Sequence, residues 1–115
     1  MPGSADDCIF CKIASGKIPA QIIKEGESYV AFKDLNPQAP THLLLIPKDH
    51  YSMLSEVKDC NLLGTLFQQA AELAAEMKLA DGFRLVVNTG DDGGQTVFHL
   101  HIHILGGRRM QWPPG

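Results

Sequence analysis

The sequence predicts an α+β domain built on a mainly antiparallel sheet. Three patterns support this prediction: short extended segments separated by turn residues, one long apolar stripe at helical spacing, and a late strand in which histidines alternate with aliphatic residues. The connections between these segments are short, and no internal repeat or linker interrupts the 115 residues. We therefore expect a single domain over residues 1–115 with one hydrophobic core.

The first half of the chain supplies three strands. Residues 21–24 and 28–34 are extended segments, and Gly26 lies in the turn that would join them as a hairpin. After a proline-containing turn, residues 43–46 form a continuous apolar run, which suits a strand buried on both faces. Pro47 has no backbone N–H to donate to a sheet, so we expect this strand to end there.

One long helix is predicted over residues 59–79. Apolar residues recur in this segment at steps of four, four, three and four, which places them on one helical face. They are Leu62, Leu66, Ala70, Leu73 and Met77. Asp59 or Asn61 is a candidate N-cap, and the glycine of Asp81-Gly82 can take the backbone conformation that stops a helix.

The last two predicted strands contain the densest group of chemically active side chains. They cover residues 83–88 and 97–105, with a glycine-rich loop at 89–95 between them. Imidazoles and aliphatic side chains alternate along the second strand, so they occupy opposite faces, in the order His99, Leu100, His101, Ile102, His103 and Ile104. Such a face fits either a metal site or a nucleophile with acid–base neighbours. The loop glycines favour phosphate binding, and a solvated hairpin turn is the alternative for the same residues.

Composition and charge exclude several classes of protein. Hydrophobic residues make up 44% of the chain and charged residues 20%, which is an ordinary globular balance. The formal net charge of -3 argues against binding a nucleic-acid polymer. The apolar runs are too short for a membrane-spanning helix, and residues 1–7 do not resemble a secretory signal. These features predict a cytoplasmic protein that binds no membrane.

The alternating segment, residues 99–105, resembles the His-x-His-x-His-x-x motif, with x hydrophobic, of the histidine triad (HIT) superfamily. Similarity to its Hint branch extends from Cys8 onward, at residues 18–20, 32–34, 37–42, 93–96, 106–108 and 112–115. The resemblance implies a HIT-like fold: a five-stranded mainly antiparallel sheet with one long helix and a short N-terminal helix. It also implies a homodimer with a joint ten-stranded sheet and a purine nucleotide site on each protomer.

The resemblance assigns roles to several polar residues. The middle histidine, His101, would attack the α-phosphorus and form a nucleotidyl-histidine intermediate, which water hydrolyses without a catalytic cofactor. A neutral imidazole is a good nucleophile near pH 7, which makes this role chemically reasonable. The other members of the implied catalytic and phosphate-binding set are His42, His103, Gly94, Gln95 and Thr96.

The resemblance also places the nucleoside and the chain ends. Asp34 would accept hydrogen bonds from the ribose hydroxyls, and Asn88 would contact the ribose or phosphate region. Aliphatic and aromatic walls suit the flat apolar face of a purine, and the implied wall residues are Ile9, Phe10, Ile18, Phe32 and Leu35. The tail, residues 106–115, would reach the dimer partner, so that Trp112 shapes substrate choice there. Residues 1–7 are expected to be flexible.

A second site is predicted from the cysteines. Cys8-x-x-Cys11 could form a tetrahedral zinc site with His50 and His99, which both lie at one end of the predicted sheet. The zinc would be structural and would hold the N-terminal segment. Unligated thiols or a redox pair are the alternatives, and Cys60 lies apart on the helix. Three cysteines, an odd number, fit a reducing compartment better than a disulfide scaffold.

The function predicted from the sequence is hydrolysis of purine nucleoside phosphoramidates, derivatives of AMP or GMP with an amine leaving group. A dinucleoside polyphosphate hydrolase or adenylyl transferase would use the same nucleophile on another leaving group. A nucleotide-binding regulatory module is the alternative outside enzymes, because fold and site do not by themselves establish a cellular role.

Overall fold

The computed structural model describes residues 5–115, and residues 1–4 lie outside the described part of the chain. The helices and strands, in chain order, are α1 (Ile9–Ala14), β1 (Ile22–Glu25), β2 (Tyr29–Lys33), β3 (Thr41–Pro47), α2 (Cys60–Glu76), β4 (Phe83–Val86) and β5 (Ile102–Gly106). All strand pairs are antiparallel, and the strand order is β1-β2-β3-β5-β4. The predicted five-stranded sheet with one long and one short helix is confirmed.

Strand β3 is the middle strand of the sheet, and its two faces contact different layers. Leu43 and Leu45 belong to the larger core cluster, which includes the buried side chains of α2. Leu44 and Ile46 point to the opposite face and pack with Phe10 of α1. The prediction of a strand buried on both faces is therefore confirmed, and the face opposite α2 carries the candidate site.

Helix α2 covers one face of the sheet and begins where the sequence predicts. Its most deeply buried residues come from the predicted apolar stripe and its neighbour, and they are Leu66, Ala70, Leu73 and Ala74. Asp59 is the N-cap: its carboxylate accepts the N–H groups of Asn61 and Leu62 at 3.0 and 3.2 Å. Asn61, the other cap candidate, lies inside the helix. Within residues 5–115 no helix, α2 included, combines the length and apolar character needed to cross a bilayer.

The end of α2 differs from the prediction. The helix ends at Glu76 rather than at residue 79, and Lys78, with φ 63°, takes the left-handed conformation that was expected of Gly82. The amide of Lys78 donates to the Ala75 carbonyl at 3.0 Å, and that of Leu79 donates to the Ala74 carbonyl at 3.0 Å. These two bonds form a Schellman motif, which satisfies the last helical carbonyls before the chain reaches glycine.

The histidine strand is also shorter than predicted. Strand β5 begins at Ile102 rather than at residue 97, because the position opposite Leu100 in the β3 register is Pro47, which has no N–H to continue the ladder. The Leu100 amide instead donates to the Tyr51 carbonyl at 2.7 Å. The alternation of imidazole and aliphatic side chains continues before β5, since Leu100 remains buried in the core. Strand β4 likewise ends at Val86, two residues before the predicted end.

The chain ends lie beside the sheet. The first four residues of the segment predicted to be flexible, 1–7, fall outside the described residues, and Ala5 accepts the Cys8 N–H at 3.1 Å in a turn before α1. In the C-terminal tail, the Gln111 carbonyl accepts a hydrogen bond from the Arg84 guanidinium at 2.9 Å. This hydrogen bond ties the tail to β4, an edge strand of the sheet. The Trp112 side chain that follows is 82% exposed.

The N-cap of α2 gives a stability prediction. Replacing Asp59 with alanine leaves the amides of Asn61 and Leu62 without their acceptor and should lower the free energy of unfolding by about 1 kcal/mol. Asp59→Asn keeps a side-chain oxygen and should cost only a few tenths of that amount. Urea titration of both variants beside the native protein measures the difference. Equal stability of the alanine and asparagine variants would exclude a capping role.

Candidate functional site

A cavity of about 460 Å³ lies on the face of the sheet opposite α2. It is lined by ten of the residues that the sequence singled out: Ile9, Phe10, Ile18, Phe32, Asp34, Leu35, His42, Thr96, His101 and His103. The predicted wall did not include the neighbouring lining residues Ile13, Pro19, Ala20 and Leu44. A larger hollow of about 620 Å³, near the end of α2 and the tail, is lined by none of the predicted site residues.

Four of the predicted catalytic and substrate-binding residues do not line the cavity, and Gln95 is the most informative of them. Its side-chain amide donates to the carbonyls of Ser52 and Val97 at 2.7 and 3.1 Å, and its oxygen accepts the Gly90 N–H at 2.9 Å. The side chain therefore braces the glycine-rich loop instead of facing the cavity. The other three residues outside the lining are Asn88, Gly94 and Trp112.

The backbone fixes the protonation pattern of His101. Nδ1 of this ring lies 2.7 Å from the carbonyl oxygen of His99. A carbonyl can only accept, so Nδ1 carries the proton and Nε2 of the neutral ring carries the lone pair. No described residue forms a hydrogen bond with Nε2, and Phe10 packs perpendicular to the ring at a centroid distance of 5.2 Å. The arrangement leaves one basic nitrogen available to a molecule in the cavity.

A second backbone group gives His42 and His103 the opposite pattern. The Gln38 amide donates to Nδ1 of His42 at 3.0 Å, so the proton of a neutral His42 ring must lie on Nε2. That nitrogen is 2.9 Å from Nδ1 of His103 and donates to it. A neutral His103 therefore carries its own proton on Nε2. Through this relay His103 offers the cavity a hydrogen-bond donor, whereas His101 offers it a lone pair.

Burial keeps this relay neutral near pH 7. Together with the neighbouring His101 and His42 rings, burial lowers the pKa of His103 to about 4. Burial also lowers the pKa of His42, and the Asp34 carboxylate partly opposes this effect. One Asp34 oxygen lies 3.3 Å from Nε2 of His42, and the other accepts the Asn36 N–H at 2.8 Å. Asp34 is thereby anchored at the wall of the cavity.

The four predicted metal ligands come together at the end of the sheet beside the cavity. One donor atom from each of Cys8, Cys11, His50 and His99 lies within 4.8 Å of the other three. Nδ1 of His99 is 3.3 and 3.4 Å from the sulfurs of Cys8 and Cys11, and Nδ1 of His50 is 3.3 Å from that of Cys11. We call these four residues the cysteine–histidine centre.

The geometry of the cysteine–histidine centre fits a tetrahedral metal ion. Zinc bonds of about 2.0–2.3 Å place the ligand atoms of a tetrahedral site about 3.3–3.8 Å apart, which covers the three donor separations. Nε2 of His99 donates to the Pro47 carbonyl at 2.9 Å, and this bond leaves Nδ1 as a lone pair facing the sulfurs. Burial lowers the pKa of His99 to about 4, so the ring is neutral, as a metal ligand must be.

The sequence and the fold are both similar to those of known proteins. The HIT domain family model matches residues 15–110. An uncharacterized HIT-like protein of Synechocystis is 55% identical over 113 residues, which are 96% of this chain and 99% of that protein. The crystal structure of a HIT family hydrolase from Legionella pneumophila has a TM-score of 0.92 at 49% identity and covers 95% of this chain and 100% of its own. A histidine triad nucleotide-binding protein from Candida albicans has a TM-score of 0.82 at 30% identity, covering 93% and 83%.

The low pKa of His103 predicts how stability depends on pH. Between pH 6.5 and about 4 the unfolded chain binds a proton at this ring that the folded chain does not bind. The free energy of unfolding should therefore fall as the pH falls through this window. In His103→Gln this contribution is absent, so the decline should be shallower. Urea titrations across the window compare the two slopes, and parallel slopes would rule out a buried neutral His103.

Proposed function

The chain belongs to the HIT domain family, and we propose that it is a nucleotide hydrolase of the Hint type, which cleaves purine nucleoside phosphoramidates through a nucleotidyl-histidine intermediate. One observation carries the proposal. The His99 carbonyl accepts the Nδ1 proton of His101, which leaves the Nε2 lone pair of His101 available in a largely apolar cavity. Two of the similar solved structures are named a hydrolase and a nucleotide-binding protein, which supports the same class.

The first step forms the covalent intermediate. Nε2 of His101 attacks the α-phosphorus, a nitrogen–phosphorus bond to the ring forms, and the bond from phosphorus to the leaving amine breaks. The ring becomes positively charged, and the dipole of the His99 carbonyl stabilises that charge through the Nδ1 proton. The amine must gain a proton as it leaves. Thr96 lines the cavity, and its hydroxyl would relay this proton from water.

The second step releases the product. Water attacks the same phosphorus, the bond to the His101 ring breaks, and the neutral imidazole is restored while the surplus proton goes to solvent. His103 donates from Nε2 to a nonbridging phosphate oxygen in both steps. Because Gln38 and His42 hold that proton in place, His103 needs no positive charge to act as a donor. In total, one water is consumed, and one amine and one nucleoside monophosphate are formed.

The walls of the cavity favour a purine nucleoside. The flat faces of the base would lie against the apolar wall of α1 and β2, which includes Phe10 and Phe32 in edge-to-face contact at 5.5 Å. Asp34 would accept hydrogen bonds from the ribose hydroxyls in addition to its present contacts. Asn88 and Gly94 would serve the phosphate end, with the loop braced by Gln95.

A homodimer would complete the site. Strand β4 is an edge of the sheet, and its Phe83 side chain is 42% exposed. Pairing of two such edges would give a ten-stranded sheet and cover unpaired backbone groups. Trp112 would then contact the active site of the partner, where it could select among leaving groups.

The cysteine–histidine centre would hold a structural zinc ion. Cys8 and Cys11 would supply thiolates from α1, and His50 and His99 would supply neutral imidazoles from the end of the sheet. The ion would cross-link the N-terminal segment to the sheet and take no part in the phosphoryl chemistry.

The nucleophile is tested by mass spectrometry. Brief incubation with adenosine 5′-phosphoramidate and an alkaline quench should add one adenylyl group to the peptide that contains His101. His101→Asn should carry no such group and should lose at least about a thousandfold in kcat. Cys60→Ser, changed on the exposed start of α2, should behave as the native protein does. Turnover in His101→Asn, or a label on another residue, would refute the assignment of His101 as the nucleophile. Cleavage of diadenosine polyphosphate faster than that of the phosphoramidate would favour a dinucleoside polyphosphate hydrolase.

Metal analysis tests the centre. Protein purified without added metal should contain about one zinc per chain, since four ligands are in place for a closed site. Cys8→Ser should lose most of it, whereas Cys60→Ser should keep it. Equal zinc content in the two serine variants would dismiss the centre as a metal site.

A further inference from the structure

We propose that the cysteine–histidine centre positions the nucleophile His101 and the adjoining cavity wall, in addition to securing the fold. Two covalent links connect the centre to the candidate active site, one through His99 and one through α1. The inference rests on the proposed function insofar as it concerns turnover. Its structural part concerns the orientation of His101 alone.

The first link is His99, which takes part in both sites. Its ring is fully buried and held at both nitrogens, by the cysteine sulfurs at Nδ1 and by the Pro47 carbonyl at Nε2. Its main-chain carbonyl is the acceptor for Nδ1 of His101 at 2.7 Å. The peptide that carries this carbonyl lies just before β5, and its N–H, that of Leu100, donates to the Tyr51 carbonyl at 2.7 Å. The His99 ring is a second anchor of that peptide, on the side of the cysteine–histidine centre, and His99 thereby acts as a positioning residue.

The second link is α1, a helix of only six residues. A helix this short is not stable by itself, so its place depends on what anchors it. Cys8 caps the helix and Cys11 lies within it, and both belong to the centre. Phe10, between them, contacts the rings of His99 and His101 at centroid distances of 5.9 and 5.2 Å. Ligation at the two cysteines thus sets one wall of the cavity and one face of the nucleophile.

The two links predict separable effects. Loosening the His99 carbonyl frees the His101 ring to turn, which lowers kcat because the lone pair no longer points at phosphorus. Loosening α1 moves the wall that contacts the base, which weakens binding of the nucleotide and raises KM. A centre that only stabilised the fold would change neither parameter in the protein that remains folded.

His50 is the ligand that allows a clean test. It belongs to neither α1 nor the segment that carries His101. The next residue, Tyr51, accepts the Leu100 N–H, so rescue by another metal ligand at position 50 is what assigns the effect to the centre. His50→Asn should lower kcat by about 10- to 100-fold, the usual range for a residue that supports reacting groups indirectly. His50→Cys keeps four ligands and should restore most of the loss when zinc is supplied. Cys60→Ser is the control outside the centre.

Two readouts need no turnover. Proton NMR of ¹⁵N-labelled protein follows solvent exchange of the His101 Nδ1 proton, and calorimetry follows AMP binding. Removal of zinc by a chelator, or His50→Asn, should speed this exchange at least about tenfold and weaken AMP binding, with reversal when zinc is returned to the native chain. Unchanged exchange and unchanged kcat in folded, zinc-free protein would overturn the proposal.

Unfolding and a failed function are distinguished in the same experiment. Far-UV circular dichroism is recorded as zinc is withdrawn from the native protein. Loss of kcat and of Nδ1 protection before any loss of helix signal supports the positioning role, and loss only in step with the helix signal overturns it. Faster exchange in a chain that never cleaves the phosphoramidate would refute the proposed function and still support the positioning of His101 by the centre.

Discussion

The hydrogen bond from Nδ1 of His101 to the His99 carbonyl is the interaction on which the rest of the site depends. Neighbouring histidines on one face of a strand have no intrinsic preference for different tautomers. The carbonyl acceptor imposes the Nδ1-protonated tautomer on His101. The Gln38 amide imposes the other on His42 and, through it, on His103. One cavity therefore receives a lone pair from one imidazole and a hydrogen-bond donor from another, although the two side chains are chemically identical.

The sheet brings these backbone groups to the side chains that need them. In the β3–β5 register His103 lies opposite Leu44, and His42 is two residues away on the same face of β3. Pro47 interrupts the ladder where it reaches Leu100, and the chain before β5 is then free to turn its carbonyls toward side chains. The same proline offers its own carbonyl to the His99 ring. The break in the sheet is thus where the cysteine–histidine centre and the candidate active site meet.

Periodicity was sufficient to predict α2, the strands and the facing of the histidines, because burial on a strand or helix follows directly from spacing. The short helix α1 was implied only by the family resemblance. Periodicity was insufficient for the roles of main-chain groups. Backbone conformation, which the side-chain pattern does not encode, determines the roles of three groups: the left-handed Lys78, the His99 carbonyl and the Gln38 amide. Gln95 illustrates the reverse case: its amide suits a phosphate, yet the loop it belongs to needs those same hydrogen bonds for its own structure.

The most direct measurement is a long-range ¹H–¹⁵N correlation spectrum of the imidazole nitrogens at neutral pH, with His101, His103 and His42 assigned by single substitutions. We expect His101 to carry a proton on Nδ1 and none on Nε2, beside neutral His42 and His103 rings protonated at Nε2. A His101 ring protonated at Nε2, or the same tautomer at positions 101 and 103, would contradict it.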